Sequence, residues 1–197
     1  AATGNTGLGV DIFAALTTGD NNVAVGFNAL EAMTTGHSTV AIGMNALFRT
    51  TTGVNSVGVG QEALQANTTG KHNVALGGFA LVSNTTADAN VAVGINVLQA
   101  NTTGAQNVAV GGFSLDAATT ASFNTAVGYG SLGGCTTGGY NTAIGDSAMG
   151  AAAHTGNFNT ALGRSALRTI TTGNSNTGVG LSAGDGITSG NSNVFVG

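Results

Sequence analysis

The chain has 197 residues, 34 of them glycine, with no proline, no tryptophan and a single cysteine. Four basic and eight acidic side chains make only 6% of the residues charged, against roughly 25% in an average soluble domain, and they offer no basic surface to nucleic acid. One cysteine excludes a disulfide framework within the chain, and the apolar runs are far shorter than the roughly 18 residues that suggest a membrane span, so we expect no membrane insertion.

A repeat runs through the whole chain. The 42% of hydrophobic residues argue against a disordered chain, and the phrase Asn22–Gly26 returns unchanged as Asn107–Gly111. Ten of the eleven spacings between its closing glycines are 17 residues and one is 18, with the extra residue among residues 150–153. These glycines are Gly9, Gly26, Gly43, Gly60, Gly77, Gly94, Gly111, Gly128, Gly145, Gly163, Gly180 and Gly197. We expect residues 1–197 to form one repeat array, a segment of a longer fibrous protein.

Repeat positions are numbered here from Asn22 (position 1) to Ser38 (position 17). Positions 1 to 4 alternate as a short strand does, and glycine at positions 5 and 15 is typical of turns. Position 4 is always aliphatic, position 9 is mostly leucine, and positions 13 to 15 read Thr-Thr-Gly. Seventeen residues are too few for two packed helices. The pattern therefore predicts an all-β fold, a β-solenoid of about twelve coils stacked into a rod about 55 Å long.

The strand alternation leads to a hypothesis about subunit contacts. If positions 2 and 4 face the core, position 3 faces outward, where a polar residue would be usual. Position 3 instead carries small residues, which indicates the close approach of another backbone. We therefore expect a subunit interface along Ala24, Ala41, Gly58, Ala75, Ala92, Ala109, Ala126, Ala143 and Ala161.

Stacking of equal positions predicts ladders of like side chains. Asparagine at position 1 and threonine at positions 13 and 14 can bond along the stack, with one threonine of each pair inside and the other outside. Phe123, Tyr140 and Phe158 share position 17 in consecutive coils and should stack as an aromatic ladder. The ladder either packs for stability or forms a surface contact for carbohydrate or a receptor.

The sequence offers no catalytic, cofactor or metal site. His37, His72 and His154 lie in separate coils without metal-ligand spacing and are interpreted as surface residues. Gly180–Gly184 matches the G-x-S-x-G pattern of hydrolases, but it is an ordinary stretch of the repeat. The sequons that begin at Asn67, Asn84 and Asn101 are interpreted as turns.

The phrases Asn141-Thr142-Ala143-Ile144-Gly145 and Asn22–Leu30 resemble the YadA-like head repeats of trimeric autotransporter adhesins and similar Asn-Thr-Ala-Ile-Gly arrays of phage tail fibres. The resemblance covers essentially the whole chain, although YadA-like heads mostly use a shorter repeat. It implies a left-handed parallel β-roll, a homotrimer with chains side by side, and an extracellular role on a cell surface or virion.

The expected function is that of a non-enzymatic fibre segment, an adhesin head or a tail-fibre shaft, that mediates attachment to a host-cell receptor or polysaccharide. A self-assembling extracellular filament of stacked solenoids is the main alternative. An ice-binding solenoid is a weaker one, because adjacent threonines do not both face outward. An enzyme on a solenoid scaffold is weaker still, because the acidic residues do not form a carboxylate pair.

Overall fold

A computed structural model describes residues 1–150 and 153–197. It contains one parallel sheet of twelve strands in sequence order, with turns between them and no helix among the described residues. The strands are β1 Thr6–Leu8, β2 Val23–Val25, β3 Val40–Ile42, β4 Val57–Val59, β5 Val74–Leu76, β6 Val91–Val93, β7 Val108–Val110, β8 Thr125–Val127, β9 Thr142–Ile144, β10 Thr160–Leu162, β11 Thr177–Val179 and β12 Val194–Val196. The predicted all-β solenoid is confirmed, with one short strand in each repeat.

The strands pair in the register that the repeat predicts. Val23 pairs with Val40, 17 residues on, whereas Thr142 pairs with Thr160, 18 residues on. The extra residue therefore lies between β9 and β10, although residues 151 and 152 of the expected stretch are outside the described residues. Beyond them, the Thr136 N–H donates to the His154 carbonyl and the Thr155 N–H donates to the Thr171 carbonyl. His154 and Thr155 together therefore make the two hydrogen bonds that a single position-13 threonine makes in the other coils, as in a β-bulge.

Position 5 requires glycine for two reasons. Gly26 has a φ of 129°, in a region that side chains avoid, and a Cβ there would lie 2.6 Å from the carbonyl oxygen of Gly43 in the next coil. Left-handed backbone also recurs at residues other than glycine, at positions 7, 9 and 17; Asn28, Leu30 and Ser38 are the members of one repeat, with φ of 52–56°. The chain turns by this alternation of left-handed residues with extended or right-handed ones.

The orientation expected for the strands is wrong. Position 3 faces the interior and positions 2 and 4 face outward, so each inner strand has a buried residue between two more accessible ones. The residues expected at a subunit interface are all buried within the single chain: Ala24, Ala41, Gly58, Ala75, Ala92, Ala109, Ala126, Ala143 and Ala161. They are small because the leucines of position 9 already fill the narrow interior. A Cβ on Gly58 would lie only 3.0 Å from Leu47 Cδ1.

Exceptions to the repeat compensate one another in the core. Gly184 replaces the position-9 leucine, and Phe195 replaces the position-3 alanine of the following coil. A Cβ on Gly184 would meet the Phe195 ring at 2.6 Å, so the ring occupies the space that a leucine would fill. The core is therefore filled by volume rather than by residue type at each position.

Buried asparagines form two ladders inside the rod. At position 1, the Asn124 N–H donates to Asn107 Oδ1 at 3.0 Å, and Asn107 Nδ2 donates to the Ala121 carbonyl at 2.8 Å. At position 12, Asn84 Nδ2 donates to Asn67 Oδ1 and Asn101 Nδ2 donates to Asn84 Oδ1. Asn67, Asn84 and Asn101 lie in turns as expected, since each N–H donates to the carbonyl three residues before it, but their side chains are fully buried, which closes the three sequons to modification in the folded chain.

Candidate interaction surface

The outer sheet face, made by positions 2 and 4 of the twelve strands, carries valine, threonine, leucine and isoleucine but no charge. Its position-4 residues remain accessible in the single chain, as Leu76 (37% exposed) and Ile144 (44%) show. Position 6 follows the glycine corner and adds the exposed Phe27, Met44 and Ile95. Positions 2 and 4 thus form an uncharged strip along the rod, which position 6 extends with apolar side chains in some coils and interrupts with charge at Asp146 and Arg164. Exposed apolar surface of this extent is typical of an interaction site.

Charge is confined to the rest of the surface. None of the twelve charged side chains is buried, and all lie at positions 6, 7, 10, 11 and 16, outside the strands. Two ion pairs bridge neighbouring coils among the described residues, Arg164 with Asp146 at 3.4 Å and Arg168 with Asp185 at 3.2 Å. Both lie at the surface and remain in contact with solvent, so each contributes about 1 kcal/mol or less. The outer sheet face is therefore the part of the surface best suited to close apolar contact.

The aromatic ladder, Phe123, Tyr140 and Phe158, is confirmed as a stack. The ring centroids of Phe123 and Tyr140 lie 4.7 Å apart with planes 6° apart, and those of Tyr140 and Phe158 lie 5.1 Å apart with planes 15° apart. All three residues have φ near 60°, and about half of each remains exposed. The left-handed backbone of position 17 thus holds the rings on the surface, with their edges toward solvent.

A second aromatic contact was not predicted. Phe113 and Tyr129 meet edge to face with ring centroids 5.6 Å apart. They occupy positions 7 and 6 of adjacent coils, so a search for like residues at one position misses them. The sequence feature that could have predicted this contact is Gly112. A glycine at position 6 leaves room for a large ring in the next coil, and the Tyr129 ring lies beside it.

The threonine columns differ from each other in exposure. The hydroxyl of position 13 donates along the stack, for example from Thr85 to the Thr102 carbonyl at 3.1 Å, while position 14 is exposed. A hydroxyl that donates to the backbone has only its lone pairs left to bond water. Only one file of threonines therefore has unrestricted hydroxyls on this side of the rod, which does not favour the ice-binding alternative.

The histidines do not share one environment. His37 and His72 are exposed as expected, but His154 is fully buried, so its assignment to the surface is wrong. The bulge turns His154 inward beside Cys135, its bridge partner, and neither ring nitrogen has a hydrogen-bond partner among the described residues. Burial is the main cause that lowers the pKa of His154. Burial raises the pKa of the Cys135 thiol to about 12, so both side chains are uncharged at neutral pH.

Across residues 1–150 and 153–197, no three histidine, cysteine or acidic side chains converge on a possible metal position. The same residues form no helix long and apolar enough to cross a bilayer.

The chain was compared with protein-family models, curated proteins and solved structures, and nothing matches. Its function is therefore inferred from its own surface.

Proposed function

We propose that this chain is a segment of a non-enzymatic, trimeric, extracellular fibre that mediates attachment, as an adhesin head or a tail-fibre shaft. The observation that carries the proposal is the outer sheet face, which is apolar and uncharged along the whole rod. Twelve strands about 4.8 Å apart and three residues long make this face about 55 Å by 10 Å. Together with the exposed apolar residues of position 6 it approaches the roughly 800 Å² per partner of a stable protein interface; these residues are Val10, Phe27, Met44, Ile95, Tyr129 and Leu181.

The proposed occupants of this face are further copies of the same chain. A copy offers the same uncharged strip with the same spacing between coils, so every aliphatic column has an equivalent partner. This replaces the alanine column as the basis for a homotrimer with chains side by side. The left hand of the coils and the threefold arrangement follow from the resemblance to YadA-like heads.

Outside the outer sheet face, the surface is that of a fibre with a constant core and variable surface side chains. Buried positions repeat almost unchanged, whereas positions 6, 7, 10, 11, 16 and 17 differ from coil to coil. Recognition of a receptor or polysaccharide would use the variable positions outside the contact between chains, which are positions 7, 10, 11, 16 and 17, and the constant coils would hold them away from the cell or virion. Neighbouring coils alone contact each other, so the number of coils determines the reach.

The test is the molar mass in solution, measured by light scattering. Leu76→Glu with Ile144→Glu places two charges on the outer sheet face, four coils apart. Thr69→Glu with Thr137→Glu places the same charges, with the same spacing, at exposed position 14. We expect a trimer for the natural chain and the threonine variant, and a monomer with unchanged circular dichroism for the other. A monomeric natural chain would overturn the trimer, and open-ended growth would favour the filament.

A further inference from the structure

The aromatic ladder ends abruptly on its C-terminal side. Both faces of the Tyr140 ring are covered by neighbouring rings, and one face of Phe158 is covered by Tyr140. The other face of Phe158 is directed along the rod toward the next coil, where position 17 is Ser175, followed by Ser192 one coil further on. Serine is too small to cover a phenyl ring. Phe158 is accordingly the most exposed of the three, at 60%.

The space beside this ring has the height of one more ring. Rings of the ladder are separated by 4.7 and 5.1 Å, and coils stack at about the same spacing. A flat six-membered ring placed on Phe158 would therefore lie at the level of Ser175. The step formed by Phe158 and Ser175 is thus a vacant rung of the ladder with an aromatic face on one side.

An uncharged polar ladder borders the step. At position 16, the Asn157 N–H donates to Asn174 Oδ1 and the Asn174 N–H donates to Asn191 Oδ1, both at 2.8 Å. Within the described part of the chain, the Asn191 side-chain amide N–H groups and the Ser175 hydroxyl make no hydrogen bond, although both residues are exposed. Donors and acceptors without charge therefore lie next to the exposed ring.

We propose that this step binds one pyranose residue of an uncharged glycan. The C–H face of the sugar stacks on the electron-rich face of Phe158, and its hydroxyls bond to Ser175 and the Asn191 amide. Positions 16 and 17 hold no charged residue from Ser122 to Ser192, so the site gives an acidic or basic sugar no ion pair. The inference rests on the proposed attachment function and names its ligand class.

Filling the step is the sharpest test. Ser175→Phe adds the missing ring at a φ of 57°, a backbone that already carries Phe123, Tyr140 and Phe158. Ser38→Phe makes the same change at position 17 of a distant coil, with a φ of 56°, and serves as the control. A third variant, Phe158→Leu, keeps the apolar bulk and removes the aromatic face.

The probes are neutral hexasaccharides of glucose, mannose and galactose, with binding followed by saturation-transfer NMR and titration. We expect at least one to bind the natural chain and the Ser38→Phe variant equally, and to lose about tenfold or more in affinity with Ser175→Phe and Phe158→Leu. Undiminished binding to Ser175→Phe overturns the inference. So does an absence of sugar binding, including the case in which the step takes a tyrosine-containing peptide instead.

The molar mass of each variant separates this test from that of the proposed function. A trimer that binds no sugar overturns only the glycan site. A monomeric natural chain that binds sugar overturns the trimeric fibre and leaves the site in place.

Discussion

The core leucines combine two opposed preferences in single residues. Leu30, Leu47 and Leu64 have φ of 52–55°, a region that costs a residue with a Cβ about 1 kcal/mol or more, yet all three are fully buried. Burial of each side chain contributes about 2 kcal/mol, which offsets that cost. Leucine at position 9 is thus retained for the space it fills, in a conformation that would otherwise favour glycine or asparagine.

The buried His154 makes the stability of the rod depend on pH. Its pKa is lowered in the folded chain, so below about pH 6.5 the unfolded chain binds more protons and stability falls as the pH falls. We expect the melting temperature to drop between about pH 7.5 and pH 5.5, with a slope of at most about 1.4 kcal/mol per pH unit. Thermal melting followed by circular dichroism measures it.

Two variants assign the effect to this residue. His154→Ile matches Ile170 and Ile187, which occupy position 12 in the next two coils, and should remove the drop. His37→Asn changes an exposed histidine and should leave the drop unchanged. An equal drop in His154→Ile would show that other groups cause it.

Residue types alone predicted the wrong side of each strand. Valine is more apolar than alanine, so placing Val23 and Val25 inside is the natural choice when a strand is considered by itself. The interior is narrow, however, and Leu30 from the next part of the same coil already fills it, which leaves room opposite only for Ala24. The sequence did contain evidence that position 3 faces the core. Gly184 replaces the large residue at position 9 where Phe195 replaces the small one at position 3, which indicates that the two positions share one space.

Within a single coil, the position-1 asparagine supplements the short strand, although β3 and β4 keep the same register with Thr39 and Ser56 at this position. Each strand has only three residues, and its ladder is continued at the N-terminal corner by a side-chain amide that replaces a backbone partner. Asparagine at position 1 was predicted to form a ladder, and this prediction is confirmed. The second ladder at position 12 was missed because a bonded asparagine next to threonine and glycine has the composition of an ordinary turn.

Removal of one amide should show what this ladder contributes. Asn107→Ala leaves the Asn124 N–H and the Ala121 carbonyl buried without partners, and we expect a loss of about 2–4 kcal/mol. Asn107→Ser should lose less, because Ser56 occupies the same position naturally and its hydroxyl accepts the Asn73 N–H at 3.2 Å. Urea denaturation measures both variants.

Thr103→Ala, at exposed position 14, is the control for Asn107→Ala and should change little. If Asn107→Ala were as stable as Thr103→Ala, the position-1 ladder would be a consequence of stacking and not one of its causes.

For the molecule as a whole, the 17-residue period predicted more of the fold than any single residue did. Strand order, register and the place of the extra residue all follow from counting glycines. The aromatic ladder follows in the same way, since equal positions stack. The inward turn of His154 and the Phe113–Tyr129 contact depend on local geometry between unlike positions, which a count of repeats does not contain.

Deletion of a whole repeat should be tolerated. Without residues 90–106, Ala89 joins Asn107, every position keeps its place, and β5 can pair with β7; we expect a folded rod shorter by about 4.8 Å. Without residues 90–109, Ala89 joins Val110 and one coil lacks positions 1 to 3, so it is three residues short of a full turn. Melting and limited proteolysis should show a cooperative rod for the first deletion and a damaged one for the second. Equal behaviour of the two would contradict the role of the 17-residue period.

The direction of the hydrogen bonds between coils has a mechanical consequence. These bonds run along the rod, so a pull between its two ends loads every interface between coils in series. A coil that detaches frees 17 residues of chain, which extend to about 55–60 Å, while the remaining coils keep all their contacts. A fibre built from such coils therefore lengthens in equal steps under tension instead of breaking at once, and each step dissipates work.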